Sequence, residues 1–138
     1  MEKFKLMHAL GLGGVAIGTA FEKIEYETAH DILHEAWNLC IRYFDTSPWY
    51  GLTKSERRFG NFLSQKDPKD FVFSTKVGRL FTKVEEEKVP KTMWKDPLHY
   101  DFKHDYTGDA VKRSVEESLQ RTGLNHIDIV YVHDLSED

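Results

Sequence analysis

The sequence predicts an α/β domain in which four strands alternate with three helices in a parallel sheet. Three observations lead there: short apolar runs at four places, helical hydrophobic stripes between them, and turn residues at nearly every junction. Strands joined through helices must pair parallel. Two layouts satisfy this pattern, an open doubly wound sheet or part of a (β/α)8 barrel. With 138 residues, the length prior is one domain over residues 1–138.

The first strand is read over His8 to Gly14, breaking into a glycine turn. Lys3 and Lys5 before the run Leu6 to Ala20 superficially resemble a signal peptide, but His8 and Gly11, Gly13, Gly14 and Gly18 interrupt it. The first helix is expected from about Glu25 to Leu39. Ala29, Ile32, Leu33, Ala36, Trp37 and Cys40 form its apolar stripe at i, i+3, i+4, i+7, i+8 and i+11. Ile41 to Asp45 reads as the second strand, ended by Pro48. Thr53 and Glu56 have capping-box spacing, so a second helix should start at Thr53, bury Phe59, Phe62 and Leu63, and break at Asp67-Pro68.

Phe71 to Lys76 is an aromatic and β-branched third strand, ended by Gly78. The polar stretch from about Arg79 to Tyr106 reads as a loop, and one so long is either a solvated insertion or a substrate lid. A third helix is expected from near Thr107, burying Val111, Val115 and Leu119 and stopping at Gly123. Ile127 to His133 is the fourth strand.

Bulk properties narrow the function classes. Hydrophobic residues at 40% and charged residues at 30% predict a soluble globular protein rather than a disordered tail. The net charge of −4 comes with no basic block, which argues against nucleic acid or an anionic membrane as partner. No apolar run is long enough to span a bilayer. Cys40 is the single cysteine and cannot form an internal disulfide, which fits the reducing cytoplasm.

Three of the four strands end in an ionisable residue: Asp45, Lys76 and His133. Alternation puts Lys76 on one face with Ser74 and Val72, and His133 with Tyr131 and Ile129. In a barrel these faces line the interior, and strand C-termini collect the catalytic groups. Tyr50 lies five residues after Asp45 on a loop pinned by Pro48 and Gly51, and can turn back over the same mouth. Each residue alone has a plainer reading: a turn cap, a solvated lysine, a packed aromatic. Together their chemistry is interdependent. A free phenol titrates near pH ~10, too high for an efficient acid at neutrality, and a nearby ammonium favours the phenolate. A carboxylate keeps that ammonium charged and oriented. An imidazole can orient a carbonyl or relay a proton.

The blocks Ile41-Arg42-Tyr43-Phe44-Asp45-Thr46-Ser47-Pro48-Trp49-Tyr50-Gly51 and Ser55-Glu56-Arg57-Arg58-Phe59-Gly60 resemble the signature of the aldo-keto reductases. So do Ser74-Thr75-Lys76-Val77-Gly78-Arg79 and Ile127-Asp128-Ile129-Val130-Tyr131-Val132-His133-Asp134. The stretch before Asp105-Tyr106, with Ser118-Leu119-Gln120-Arg121-Thr122-Gly123-Leu124, resembles the aldose and L-fucose dehydrogenase-like branch.

The resemblance implies the N-terminal half of a (β/α)8 TIM barrel, strands one to four, with the C-terminal half absent. It implies an NAD(P)-dependent oxidoreductase that interconverts an aldehyde, ketone or sugar lactol with its alcohol or lactone. Tyr50 would be the general acid, Lys76 its activator, Asp45 the lysine's partner and His133 the residue orienting the carbonyl. Gly13, Gly14, Val15 and Asp45 would meet the nicotinamide end of NADP or NAD, and Trp49 and Arg79 would line the substrate pocket. Two departures stand out: Cys40 and Thr53 occupy positions where the family usually has glycine. At Cys40 a left-handed cap costs about 1–2 kcal/mol without glycine, so a different turn is expected there. A full barrel needs roughly 250 residues, and the second half supplies most contacts to the coenzyme's pyrophosphate and adenosine. Gly11-Leu12-Gly13-Gly14 lacks the third glycine of a dinucleotide fingerprint. A half barrel has two open sheet edges, so self-association or pairing with a C-terminal half is expected, and activity of the chain alone is not. The competing reading is a truncated, non-catalytic half barrel. A metal-dependent hydrolase using His133, Asp45 and a modified Lys76 ranks below both, because Gly13-Gly14 stand where paired histidines are usual.

Overall fold

A computed structural model describes residues 10–135. Four strands form one parallel sheet: β1 (Leu12–Gly13), β2 (Tyr43–Asp45), β3 (Val72–Val77) and β6 (Ile129–Val132), in that spatial order. Helices α1 (Tyr26–Asn38), α2 (Lys54–Leu63) and α3 (Gly108–Thr122) provide the crossovers. The alternation read from the sequence therefore holds. His8 and Ala9, the start of the expected first strand, lie outside the described residues.

One face of the sheet is covered by helices. Phe44 on β2 and Phe73 on β3 meet Ala29, Leu33 and Ala36 of α1 and Phe59, Phe62 and Leu63 of α2 in a single core. Their neighbours Tyr43, Asp45, Ser74 and Lys76 point to the opposite face, as period-two alternation requires. Ile32 and Cys40, expected in the apolar stripe of α1, instead lie exposed at its edge.

Two local expectations are corrected. Thr53 is the N-cap of α2, but its backbone is left-handed at φ 79° and its side chain caps no helix N–H. Its hydroxyl accepts from Arg57 Nε at 3.3 Å instead. Glu56, the other half of the supposed capping box, is fully buried. Its carboxylate accepts from Arg121 Nε at 2.6 Å and from Thr75 Oγ1 at 2.7 Å. That ion pair joins α2, α3 and β3, and a carboxylate so claimed from two sides cannot fold back onto its own helix start. In α3, Thr107 caps through its hydroxyl and Gly123 ends the helix at φ 69°. The buried stripe, however, is Ala110, Ser114, Ser118 and Thr122, with Val111, Val115 and Leu119 only half-buried beside it. Small side chains let α3 sit close against α2 and the sheet.

The stretch 79–106 is not a structureless loop. β4 (Arg79–Lys83) and β5 (Tyr100–His104) pair antiparallel, with Arg79 opposite His104 and Lys83 opposite Tyr100. Phe81 of this hairpin packs with Trp94, Ala20 and Leu52, and Val15, Trp49, Tyr50 and Phe102 lie against them. The hairpin is therefore a second, smaller core beside the sheet's C-terminal rim. Its alternation is diluted by charges, which hid it from a reading of periodicity.

Cys40 takes the left-handed conformation at φ 63° despite its side chain, so the glycine turn of the family is kept rather than replaced. Thr53 does the same. Cys40→Gly should therefore stabilise the chain by about 0.5–1 kcal/mol, read from the urea midpoint, by relieving the Cβ strain. Arg121→Met should lower stability by about 3–5 kcal/mol, because it strands the buried Glu56 carboxylate.

Candidate active site

Asp45 ends β2 and Lys76 lies on β3, and the parallel register sets Asp45 opposite Ser74, two residues before Lys76. All three side chains share the face away from the helices. Lys76 Nζ donates to Asp45 Oδ2 at 2.6 Å and to the Thr46 carbonyl at 2.8 Å. Ser74 Oγ donates to Asp45 Oδ1 at 2.6 Å, so both carboxylate oxygens are held. The pair is largely removed from solvent, with side-chain exposures of 14% for Lys76 and 27% for Asp45. Charges taken this far out of water gain little net stability. Their value lies in a fixed geometry.

Tyr50 comes back over this pair as its loop requires. The Lys76 ammonium lies 4.9 Å from the centroid of the Tyr50 ring. His133, just beyond β6, stands edge-on to Tyr50 at 5.9 Å between centroids. The four residues thus converge at one rim of the parallel sheet.

His133 is held by its surroundings. Its backbone N–H donates to the Val77 carbonyl at 3.0 Å, and its own carbonyl accepts from Tyr106 Oη at 2.8 Å. Ser47 Oγ accepts from the Trp49 N–H at 3.1 Å and lies 3.0 Å from His133 Nδ1. With the Ser47 hydroxyl proton given to Nδ1, the ring proton sits on Nε2, the nitrogen 3.5 Å from Asp134 Oδ2. Burial pushes the imidazole down to about 4, against the opposing pull of Asp134 and with help from the Arg79 and Lys76 charges. At neutral pH His133 is an uncharged donor. Burial raises the Asp134 carboxyl, but the Arg79 hydrogen bond and the Arg79 charge outweigh it and hold it below the usual range.

The remaining candidates fall around this centre. Gly13 lies opposite Asp45 in the register, and a side chain there would meet none of the described residues within 4 Å, so among them the rim beside Asp45 is open. Gly14 faces inward, where a Cβ would stand 2.6 Å from Ser55 Oγ and 2.8 Å from Phe59 Cε2. Val15 is half-buried against the hairpin cluster. Trp49 packs edge-on to Phe102 at 4.7 Å and to Trp94 at 5.8 Å. Arg79 is buried, its NH2 2.7 Å from Asp134 Oδ2 and its Cζ 5.1 Å from the Trp49 ring.

Sequence reading missed Ser47, Thr46, Asp134 and Trp94 as parts of the site. The first three were visible as neighbours of named residues, but nothing local says that Ser47 would reach a histidine 86 residues away. Trp94 lies 5.7 Å from the Tyr50 ring, and its buried Nε1 has no hydrogen-bond partner among the described residues. Among those residues no group of three or more His, Cys, Asp or Glu is placed to hold a metal ion. No helix there is long and apolar enough to cross a membrane.

A model of the Aldo/keto reductase family matches residues 9–138. The chain belongs to that family. D-threo-aldose 1-dehydrogenase of a Pseudomonas species is 38% identical over 130 aligned residues, a match that covers 91% of this chain and 40% of that protein. L-galactose dehydrogenase of Arabidopsis thaliana is 32% identical, over 92% of this chain and 34% of its own length. Among solved structures, a glycerol dehydrogenase from Gluconobacter oxydans superposes with a TM-score of 0.67 at 25% identity, covering 88% of this chain and 34% of that one. The chain thus spans no more than about 40% of the length of these aldo/keto reductases. Its four parallel strands and three helices are the N-terminal half of the family's (β/α)8 barrel.

The depressed His133 pKa has a stability consequence. Between about pH 6.5 and 4 the unfolded chain binds a proton at this ring that the folded chain refuses, so stability falls as pH drops through that window. Urea midpoints measured from pH 7 to 4 should fall less steeply for His133→Asn. Parallel slopes for the two proteins would show that another group dominates.

Proposed function

We propose that this region carries the proton-transfer half of an NAD(P)-dependent carbonyl reduction, and the reverse oxidation of a sugar lactol. The observation that carries the reading is the ammonium of Lys76, fixed by Asp45 at 2.6 Å and set 4.9 Å from the Tyr50 ring. Relatives named for an aldose and for L-galactose support a sugar aldehyde or lactol as substrate class.

NADPH or NADH, when bound, supplies hydride to the carbonyl carbon. The residues present fit that group at one end: Gly13, opposite Asp45, leaves the rim open where a nicotinamide would lie, while Gly14 and Val15 hold the turn behind it. This chain's own residues then move the proton. Tyr50 donates its phenolic proton to the carbonyl oxygen as negative charge builds there. Lys76 stabilises the phenolate left behind, and Asp45 keeps the ammonium pointed at it. His133, neutral and protonated on Nε2, donates a hydrogen bond to the same carbonyl and fixes its direction. Trp49, wedged between Arg79 and Phe102, gives the substrate an apolar wall. In the oxidative direction the same groups run in reverse.

The reading places the coenzyme's pyrophosphate and adenosine on a second half-barrel seated against β1 and β6. Val130, Tyr131 and Val132 of β6 support this, being 39%, 44% and 56% exposed in a strand of otherwise apolar character. A second copy of the chain is the competing occupant. A cytoplasmic location fits the single, unpaired Cys40.

The test is reconstitution. The chain, alone and co-expressed with the C-terminal half of the Pseudomonas aldose dehydrogenase, is titrated with NADPH and NADH by tryptophan fluorescence and assayed on an aldose panel. Turnover is expected in the paired sample. Tyr50→Phe should cut it by at least about 100-fold while coenzyme affinity stays within roughly twofold. Near-normal turnover in that variant would remove Tyr50 as the acid. Absence of coenzyme binding in every combination would favour a non-catalytic half barrel.

A further inference from the structure

The inner face of the sheet carries a hydrogen-bonded line that does not stop at Asp45. Ser74 Oγ lies 3.1 Å from Tyr43 Oη, and Tyr43 Oη lies 3.2 Å from Tyr131 Oη. The donor in each link is determined by counting protons. Ser74 has one hydroxyl proton, and it is given to the Asp45 carboxylate, which can only accept. Ser74 must therefore accept from Tyr43. Tyr43, having spent its proton, must accept from Tyr131. The line runs one way, from Tyr131 through Tyr43 and Ser74 to Asp45, and meets Lys76 arriving from the other side.

Such a line is polarised end to end. Each donor that gives its proton toward the carboxylate becomes a better acceptor for the next. Its geometry follows from parallel register: Tyr43 precedes Asp45 by two on β2, Ser74 lies opposite Asp45, and Tyr131 lies opposite Lys76. All five side chains share one face of three adjacent strands. Phenylalanine would pack as well at 43 and 131 if only apolar contact mattered.

We propose that Tyr43 and Ser74, extended by Tyr131, are positioning residues for the reductase site: a one-way hydrogen-bond chain that locks the Asp45 carboxylate so that it holds the Lys76 ammonium beneath Tyr50. The proposal rests on the reading of Asp45, Lys76 and Tyr50 given above. Burial raises the Tyr43 phenol to about 12, so Tyr43 enters the chain as a protonated hydroxyl.

The test reads the lysine directly and needs neither coenzyme nor turnover. In the full chain labelled with 15N-lysine, the Lys76 ammonium signal is identified by its loss in Lys76→Met, and its hydrogen-exchange rate is measured. Ser74→Ala should raise that rate on the order of tenfold, the scale of one charge-assisted hydrogen bond. Tyr43→Phe, which deletes only a hydroxyl, should raise it by a smaller factor, about two- to threefold, and Tyr131→Phe by less still. Combining Tyr43→Phe with Ser74→Ala should add nothing to Ser74→Ala alone, because the link is already cut. Unchanged exchange in a folded Tyr43→Phe, or an equal effect of Tyr43→Phe with and without Ser74, overturns the chain. If Ser74→Ala does not fold, Tyr43→Phe against Tyr131→Phe decides: effects ordered by distance from Asp45 support it, and no effect in either overturns it. Failure of coenzyme binding with these exchange effects intact would count against the reductase reading alone.

Discussion

The parallel pairing of β2 on β3 is the constraint from which the rest of the molecule follows. With Tyr43 against Val72 and Asp45 against Ser74, the strand alternation is phased so that aromatic and ionisable residues take opposite faces. A slip of one residue would turn one strand over against the other, putting Asp45 or Lys76 under the helices and Phe44 or Phe73 away from them. Neither outcome is tolerable: one buries a charge without its partner and the other exposes a phenyl ring. The register is thus selected by the core, and the site inherits it.

β3 then works in two layers at once. Toward the helices, Thr75 gives its hydroxyl to the fully buried Glu56, which Arg121 of α3 neutralises. Toward the other face, Ser74 and Lys76 both bind Asp45. Three consecutive residues therefore serve two ion pairs on opposite sides of one strand. Each pair is costly to desolvate, and each ties together elements that hydrophobic contact alone would leave free to slide. The outer pair fixes α2 and α3 on the sheet, while the inner pair presents one cation to Tyr50.

Much of this was legible in the sequence because it is periodic. Most of the stripe of α1, the strand ends at Asp45 and Lys76, and the stop at Gly123 follow from spacing and from residue types with one dominant use. What escaped was long-range. Glu56 has the local look of a capping residue, and only the arrival of Arg121 from 65 positions away makes it a core anion. The hairpin of β4 and β5 was hidden because its pairing partner lies across a polar stretch and its alternation is interrupted by lysine and aspartate. At Cys40 and Thr53 local preference was the wrong guide in a different sense. Both positions keep a left-handed turn that their side chains oppose, because the chain must reverse there to enter β2 and α2.

The contrast between Tyr50 and His133 assigns their work under the proposed reading. Both rings approach the same point, and both are able in principle to give a proton to a carbonyl oxygen. His133, however, is buried beside Lys76 and Arg79, and its imidazole is held down to about 4. At neutral pH it has one ring proton and no second to spare, and the N–H of a neutral imidazole is a far weaker acid than a phenol. Tyr50 has the opposite situation under this reading, since the Lys76 ammonium stands 4.9 Å from its ring to meet the anion that transfer would leave. The imidazole is thus suited to holding the substrate oxygen and the phenol to protonating it. Burial does most to keep the histidine neutral, with the Arg79 and Lys76 charges adding to it, so the cation that Asp45 holds beside Tyr50 also works against a charged imidazole.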